Sequence, residues 1–305
     1  MSVKVVLMKS FKEMAMKINK TNPSKIAVAA AEDKEVLLAV KSAVEMSLAE
    51  FHLIGDREKI TKYAAEIDLS LKSLKLTDEP DQLTACRIAV ESVKNGQEQI
   101  LMKGLVPTAV ILKAVLDKEI GLRTGRVLSH VALFEIEGYE RLLFLTDAAM
   151  NIAPSLEQKV QITQNAVELA HSIGITMPKV ANIAAVETVN PEMQATIDAA
   201  ILAKMAERGQ IKGAVIDGPL ALDNAISVEA AEHKGIKSKV AGIADILLVP
   251  SIEVGNALYK ALVYFAKANV GAVITGAKAP IVLTSRADSH ETKLNSIILA
   301  VLSVS

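Results

Sequence analysis

Between Ile281 and Glu291 the chain reads I-V-L-T-S-R-A-D-S-H-E, an apolar run that stops at Ser285-Arg286 and resumes as a helix-like segment. A hydroxyl and a guanidinium therefore fall where a buried strand is expected to hand over to a helix N-terminus. Such a place gathers anions through free backbone N–H groups and the helix dipole. An arginine fork there suits phosphate or carboxylate. Ser285-x-x-Asp288 is also a capping-box pattern, which accounts for both residues by structure alone. From the residues themselves, the segment is an anion site or a cap, with Asp288 and Glu291 as nearby carboxylates.

Such a segment needs a scaffold, and apolar blocks alternate with amphipathic stretches from end to end. Strands are expected over 26–30, 51–55, 99–104, 180–185, 213–217, 245–250, 270–275 and 281–284. Helices are expected over 33–50, 82–95, 156–173, 193–208, 228–233, 253–268 and 289–302. This alternation is the signature of an α/β protein built on a mostly parallel sheet with right-handed crossovers. The segments 126–136 and 141–147 are separated only by Glu137-Gly138-Tyr139-Glu140, a spacing that predicts a β-hairpin and a place where one domain gives way to another. A chain of 305 residues exceeds the usual size of one core, so about two domains are expected.

Composition narrows the function. Lys+Arg number 34 against 35 Asp+Glu, with the basic residues dispersed, which disfavours nucleic acid as a partner. The apolar residues, 51% of the chain, come in blocks too short to span a bilayer. Cys86 is the single cysteine, so no internal disulfide forms, as suits a reducing cytosol. Lysines interrupt the apolar residues near the N-terminus and no small-residue cleavage site follows, so no export is expected. The histidines, His52, His130, His171, His233 and His290, are scattered without a metal-ligand spacing. His130, inside an apolar hairpin strand, reads as a hydrogen-bonded core residue rather than a base.

Glycine-bearing polar turns close several strands: Lys103-Gly104, Asp217-Gly218-Pro219 and Gly276-Ala277-Lys278. Open α/β sheets bind ligands at the carboxyl ends of their strands, so these turns and Ser285-Arg286 are able to converge on one crevice. Strand-to-helix loops also need glycine for their own geometry, which explains each turn singly. No GxGxxG and no GxxxxGK[ST] follows a strand, and the GxSxG elbow is missing, which counts against a dinucleotide site, a nucleotide triphosphatase and a serine hydrolase.

Five separated blocks carry a family resemblance: K-G-L-V at Lys103–Val106, G-L-R-T-G-R-V-L-S-H-V-A at Gly121–Ala132, R-G-Q-I-K-G-A-V-I-D-G-P-L-A-L-D at Arg208–Asp223, A-D-I-L-L-V-P-S-I-E-V-G-N-A-L-Y-K at Ala244–Lys260 and A-P-I-V-L-T-S-R-A-D-S-H-E-T-K at Ala279–Lys293. Together they resemble the phosphate acetyl/butyryltransferase family over nearly the whole chain, with G-L-R-T-G-R and S-R-A-D-S-H-E-T-K closer to the butyryltransferases. The resemblance implies reversible acyl transfer between coenzyme A and phosphate, with coenzyme A as a substrate and no metal or bound cofactor in the chemical step. It implies a two-domain fold of the isocitrate/isopropylmalate dehydrogenase type, with mostly parallel sheets, an interdomain cleft and assembly as a homodimer or from dimers. In that fold the C-terminus returns to the first domain, giving 1–125 plus 285–305 as the first domain and 126–284 as the second.

Ser285 and Arg286 match the family's Ser-Arg pair, associated with the reacting carbonyl and the phosphoryl group. A hydroxyl donating to a developing oxyanion beside a guanidinium agrees with that role. Acetyltransferases carry an aspartate six residues after that arginine, proposed to take the CoA thiol proton. Here the position is Thr292, which leaves Asp288 and Glu291 as the candidate bases. Lys113 stands where acetyltransferases have a phosphate-binding arginine, keeping the charge and losing the fork. Arg123 and Arg126 are further candidate phosphate contacts, though arginines beside a hairpin are commonly solvated. Lys103, Gly104, Ser129 and Gly276 complete the substrate-binding candidates on the matched blocks and turns. The alternatives are a phosphate acetyltransferase, a non-catalytic acyl-CoA-sensing domain of the same fold and, more weakly, a decarboxylating dehydrogenase of this architecture.

Overall fold

Runs such as Ile26–Ala29 and Ile100–Met102 are buried throughout, so they form strands covered on both faces, the arrangement parallel sheets require. The computed structural model describes residues 8–285 and 288–304, and the chain divides into two compact units. One joins Phe11–Arg126 with Gly271–Ser305; the other joins Val127–Val270 with residues 8–10.

The first of these, the flanking unit, begins with α1 (Phe11–Lys17), β1 (Ser24–Ala29), α2 (Lys34–Glu45), β2 (Ala49–Gly55), α3 (Arg57–Glu66) and β3 (Lys75–Asp78). It continues with α4 (Gln82–Lys94), β4 (Ile100–Lys103) and α5 (Thr108–Val115). The middle unit contains β5 (Ser129–Glu135), β6 (Leu143–Thr146), α6 (Leu156–Ser172), β7 (Lys179–Ile183), α7 (Gln194–Glu207) and β8 (Val215–Leu220). Then come α8 (Leu222–Ile226), α9 (Val228–His233), β9 (Ile246–Leu248) and α10 (Ile252–Tyr264). The chain ends with β10 (Asn269–Thr275), β11 (Ile281–Val282) and α11 (His290–Leu302).

In the flanking unit the strand order is β3-β2-β1-β4-β11-β10, with β1, β2, β3, β4 and β11 parallel and β10 antiparallel to β11. In the middle unit it is β5-β6-β9-β7-β8, parallel except for the β5–β6 hairpin, where Val131 faces Thr146 and Phe134 faces Leu143. The expected hairpin is present, and the architecture is mixed α/β with mostly parallel strands. The flanking unit takes up the chain again at Gly271, earlier than the expected Ser285, because β10 pairs with β11 through Ile274 and Ile281 and β11 is bonded in register to β4. His130 is buried and sits edge-on to Tyr259, with ring centroids 5.9 Å apart, as a core residue does. Among the described residues no helix is long and apolar enough to cross a membrane.

Candidate active site

After β1 the chain runs outward to β2 and β3, then crosses back through α4 to β4 on the other side of β1. The strand order therefore reverses between β1 and β4, and the carboxyl ends of those strands are the switch point where α/β sheets bind ligands. Gly104 lies there. Its N–H donates to Ala29 O at 2.8 Å, and that of Leu105 donates to Ala30 O at 2.7 Å. A Cβ on Gly104 would stand 2.0 Å from Ala30 O, so the close approach of two backbones demands glycine. The Lys103 ammonium is buried and donates to Gly104 O at 3.1 Å and Val106 O at 3.2 Å, folding the K-G-L-V block over itself. Cys86, beneath this end in α4, is buried, and burial pushes its thiol up to about 11, so no thiolate nucleophile stands here at neutral pH.

Because β11 runs parallel to β4, with Ile281 beside Leu101 and Val282 beside Met102, Ser285 leaves the sheet at this same carboxyl end. Its N–H donates to Asp288 Oδ2 at 2.7 Å, and Asp288 N–H returns a bond to Ser285 O at 3.2 Å. These two bonds tie Ser285 to Asp288, with the serine exposed. Arg286 lies outside the described residues.

The capping-box expectation for Ser285 needs correcting. The N-cap of α11 is Ser289, whose Oγ accepts from Thr292 N–H at 3.3 Å, so Ser285 and Asp288 form a turn of their own ahead of the helix. A tertiary contact sets that start: His290 N–H donates to Glu35 Oε2 at 2.9 Å, at the beginning of α2. Glu291 is exposed in the first turn of α11, the end where the helix dipole favours an acid.

Lys293 was not anticipated. It is buried, and its ammonium donates to Asp288 O at 2.6 Å and Ser285 O at 3.3 Å. Burial pushes its pKa down, while the charges of Asp288, Asp33 and Glu35 pull it back up. The available signal was a lysine in the first turn of a helix, at the wrong end of the dipole.

A second group gathers around Gly276, whose φ is +90°. The Thr124 hydroxyl donates to Gly276 O at 2.5 Å, Lys278 N–H donates to Leu122 O at 2.9 Å, and Leu122 N–H donates to Val115 O at 2.8 Å. These bonds join the end of α5, the G-L-R-T-G-R segment and the Gly276 turn, with Lys113, Arg123 and Arg126 all exposed. Ser129 belongs to the middle unit. It is fully buried at the start of β5, and its Oγ accepts from Asn165 Nδ2 at 2.8 Å.

The flanking unit thus presents a hydroxyl-bearing turn at a sheet's carboxyl end, with cationic loops in the same unit, an arrangement suited to an acyl group beside an oxyanion. Residues 10–85 and 81–301 match the family model described as "Phosphate acetyl/butaryl transferase", and the chain belongs to that family. It is 52% identical to the phosphate butyryltransferase of Clostridium acetobutylicum over 296 residues, covering 97% of this chain and 98% of that one. It is similar to the crystal structure of a branched-chain phosphotransacylase from Enterococcus faecalis V583, with a TM-score of 0.81 and 37% identity over 92% of this chain and 99% of that one. A 4-hydroxythreonine-4-phosphate dehydrogenase from Klebsiella pneumoniae shares the fold alone, with a TM-score of 0.58 at 12% identity over 93% of this chain and 100% of that one.

Proposed function

We propose that the chain transfers a short-chain acyl group reversibly between coenzyme A and inorganic phosphate, with butyryl as the favoured group and acetyl or branched chains as alternatives. The observation that carries this reading is the exposed Ser285, held in its turn at the carboxyl end of β11. A phosphate oxygen attacks the thioester carbonyl, the C–S bond breaks from the tetrahedral intermediate, and the CoA thiolate leaves. In reverse the thiolate attacks the acyl phosphate and phosphate leaves. The Ser285 hydroxyl donates to the oxyanion of that intermediate. Arg286 holds the phosphoryl group, and Lys113, Arg123 and Arg126 are assigned to the anionic substrates. Lys103, Gly104 and Gly276 shape the loops around them. Ser129, being buried, is given a supporting place only.

The Asp288 carboxylate is engaged by Ser285 N–H, which suits a part in holding the turn. We assign proton exchange with the CoA sulfur to Glu291, whose carboxylate takes the thiol proton in one direction and returns it in the other. Coenzyme A enters as a substrate, with no resident metal or cofactor in the chemical step. The two units read as the two domains of an isocitrate/isopropylmalate dehydrogenase-like fold, and the likeness to the hydroxythreonine-phosphate enzyme supports this. A cytoplasmic homodimer, or an assembly of dimers, is the proposed form. Tyr264 and Phe265, 57% and 89% exposed at the end of α10, are side chains a second copy would cover.

The test is release of free thiol from butyryl-CoA. Turnover should require inorganic phosphate and extend over a panel of acyl-CoA lengths. Binding of acyl-CoA without turnover would replace the reading with a sensor.

A further inference from the structure

A buried ammonium in the first turn of a helix is doubly disfavoured, since it loses hydration and faces the positive end of the dipole. Lys293 is such a group, 3% exposed and three residues beyond the first residue of α11. The helix does not need it, because Ser289 already caps the N-terminus. Its ammonium donates backward to Ser285 O and Asp288 O, the carbonyls at the two ends of the turn that presents the serine hydroxyl. The charges that face it are Asp288 from the turn itself and Asp33 and Glu35 from α2. Glu35 is bonded in turn to His290 N–H, at the first residue of α11. Three carboxylates therefore hold an ammonium in place whose contacts close the candidate catalytic turn.

We infer that Lys293 is a positioning residue for acyl transfer: its ammonium clamps the two carbonyls of the Ser285–Asp288 turn and so fixes where the Ser285 hydroxyl points. The inference rests on the functional reading above for its catalytic consequence, but its structural half stands independently. Beside the clamp stand the bonds Ser285 N–H to Asp288 Oδ2 and Asp288 N–H to Ser285 O, neither of which involves the lysine. A hydroxyl displaced by about an ångström loses roughly a hundredfold in rate while substrate binding is little changed.

The experiment compares the full chain with Lys293→Met and Lys293→Gln. In both variants kcat for thiol release should fall by about 10–100-fold, with KM for butyryl-CoA and for phosphate held within roughly threefold. Amide hydrogen exchange at Ser285 and Asp288, followed by NMR, should accelerate by about tenfold or more, while the amides of Ile297–Val301 keep their protection. Lys293→Ala should regain about tenfold in kcat when n-propylammonium is added, because the lost group is then supplied from solution. Unchanged exchange at Ser285 and Asp288 in a folded variant overturns the inference, as does a lost activity that the alkylammonium does not restore. If the unaltered chain shows no thiol release with any acyl-CoA, the functional reading fails, and the exchange rates still decide whether Lys293 holds the turn.

Discussion

Both units bury lysine side chains near the carboxyl ends of their strands, and they do so in opposite ways. In the middle unit Lys159 of α6 lies 2.6 Å from Asp198 Oδ2 of α7, and the other oxygen of Asp198 accepts from Gln194 at 2.8 Å. In the flanking unit Lys103 and Lys293 donate to backbone carbonyls of the loops they carry. A carboxylate in direct contact cancels the ammonium charge and ties two helices together. Carbonyl partners fix a loop, and the Lys293 charge is offset by the neighbouring carboxylates Asp288, Asp33 and Glu35 rather than by one in direct contact. The first arrangement serves stability, and the second holds loops of the proposed site.

Breaking the Lys159–Asp198 pair should produce the largest change. Lys159→Met strands a buried carboxylate and is expected to cost about 3–5 kcal/mol in urea denaturation, most of which Lys159→Met combined with Asp198→Leu should recover. A loss under about 1 kcal/mol for the single variant would erase the contrast between the two lysines. Next in size, Ser285→Ala and Arg286→Ala should each lower kcat/KM by about 10²–10³-fold, with stability held within roughly 0.5 kcal/mol because each is expected to act on substrate. Near wild-type turnover in Arg286→Ala would remove the anion site from this end of the flanking unit.

The sequence made some of this plain and concealed the rest, for physical reasons. Strands β1, β2, β4, β7, β9 and β10 were legible because burial on both faces leaves continuous apolar blocks. Strand β3, Lys-Leu-Thr-Asp at a sheet edge with both end residues exposed, carries no such block and was missed, as were the short helices α1, α3, α5 and α8. Gly218-Pro219 read as a turn, yet β8 continues through both to Leu220. As an edge strand it has no further ladder to which a proline nitrogen must donate. At the site, Ser285 was legible as a break in an apolar run. Which serine caps α11 was not, because Ser285-x-x-Asp288 and Ser289-x-x-Thr292 compete locally. The structure places the helix start at the residue bonded to Glu35, 255 positions away. Lys293 was hidden for the same reason, since Asp33 and Glu35 reach it only through the packing of α2 on α11.

The smallest expected effect tests whether the flanking unit's end contains a buried carboxylate charge after all. Glu32, between β1 and α2, is buried with its Oε2 packed against Gly55 and without a hydrogen-bond partner, and burial raises its pKa above the ordinary 4.5. A carboxyl whose folded pKa exceeds its unfolded one binds more protons in the native state between the two values. Its contribution to stability is therefore complete below 4.5 and is lost as pH rises through the folded value. Glu98 is shifted the other way, because His52 and Ser92 hold its charge against burial. Glu32→Gln mimics the protonated form, so its stability relative to the parent should be near zero at pH 4 and rise with pH to a plateau in urea titrations. A deficit that grows with pH would mean that an ionised Glu32 is being held in place.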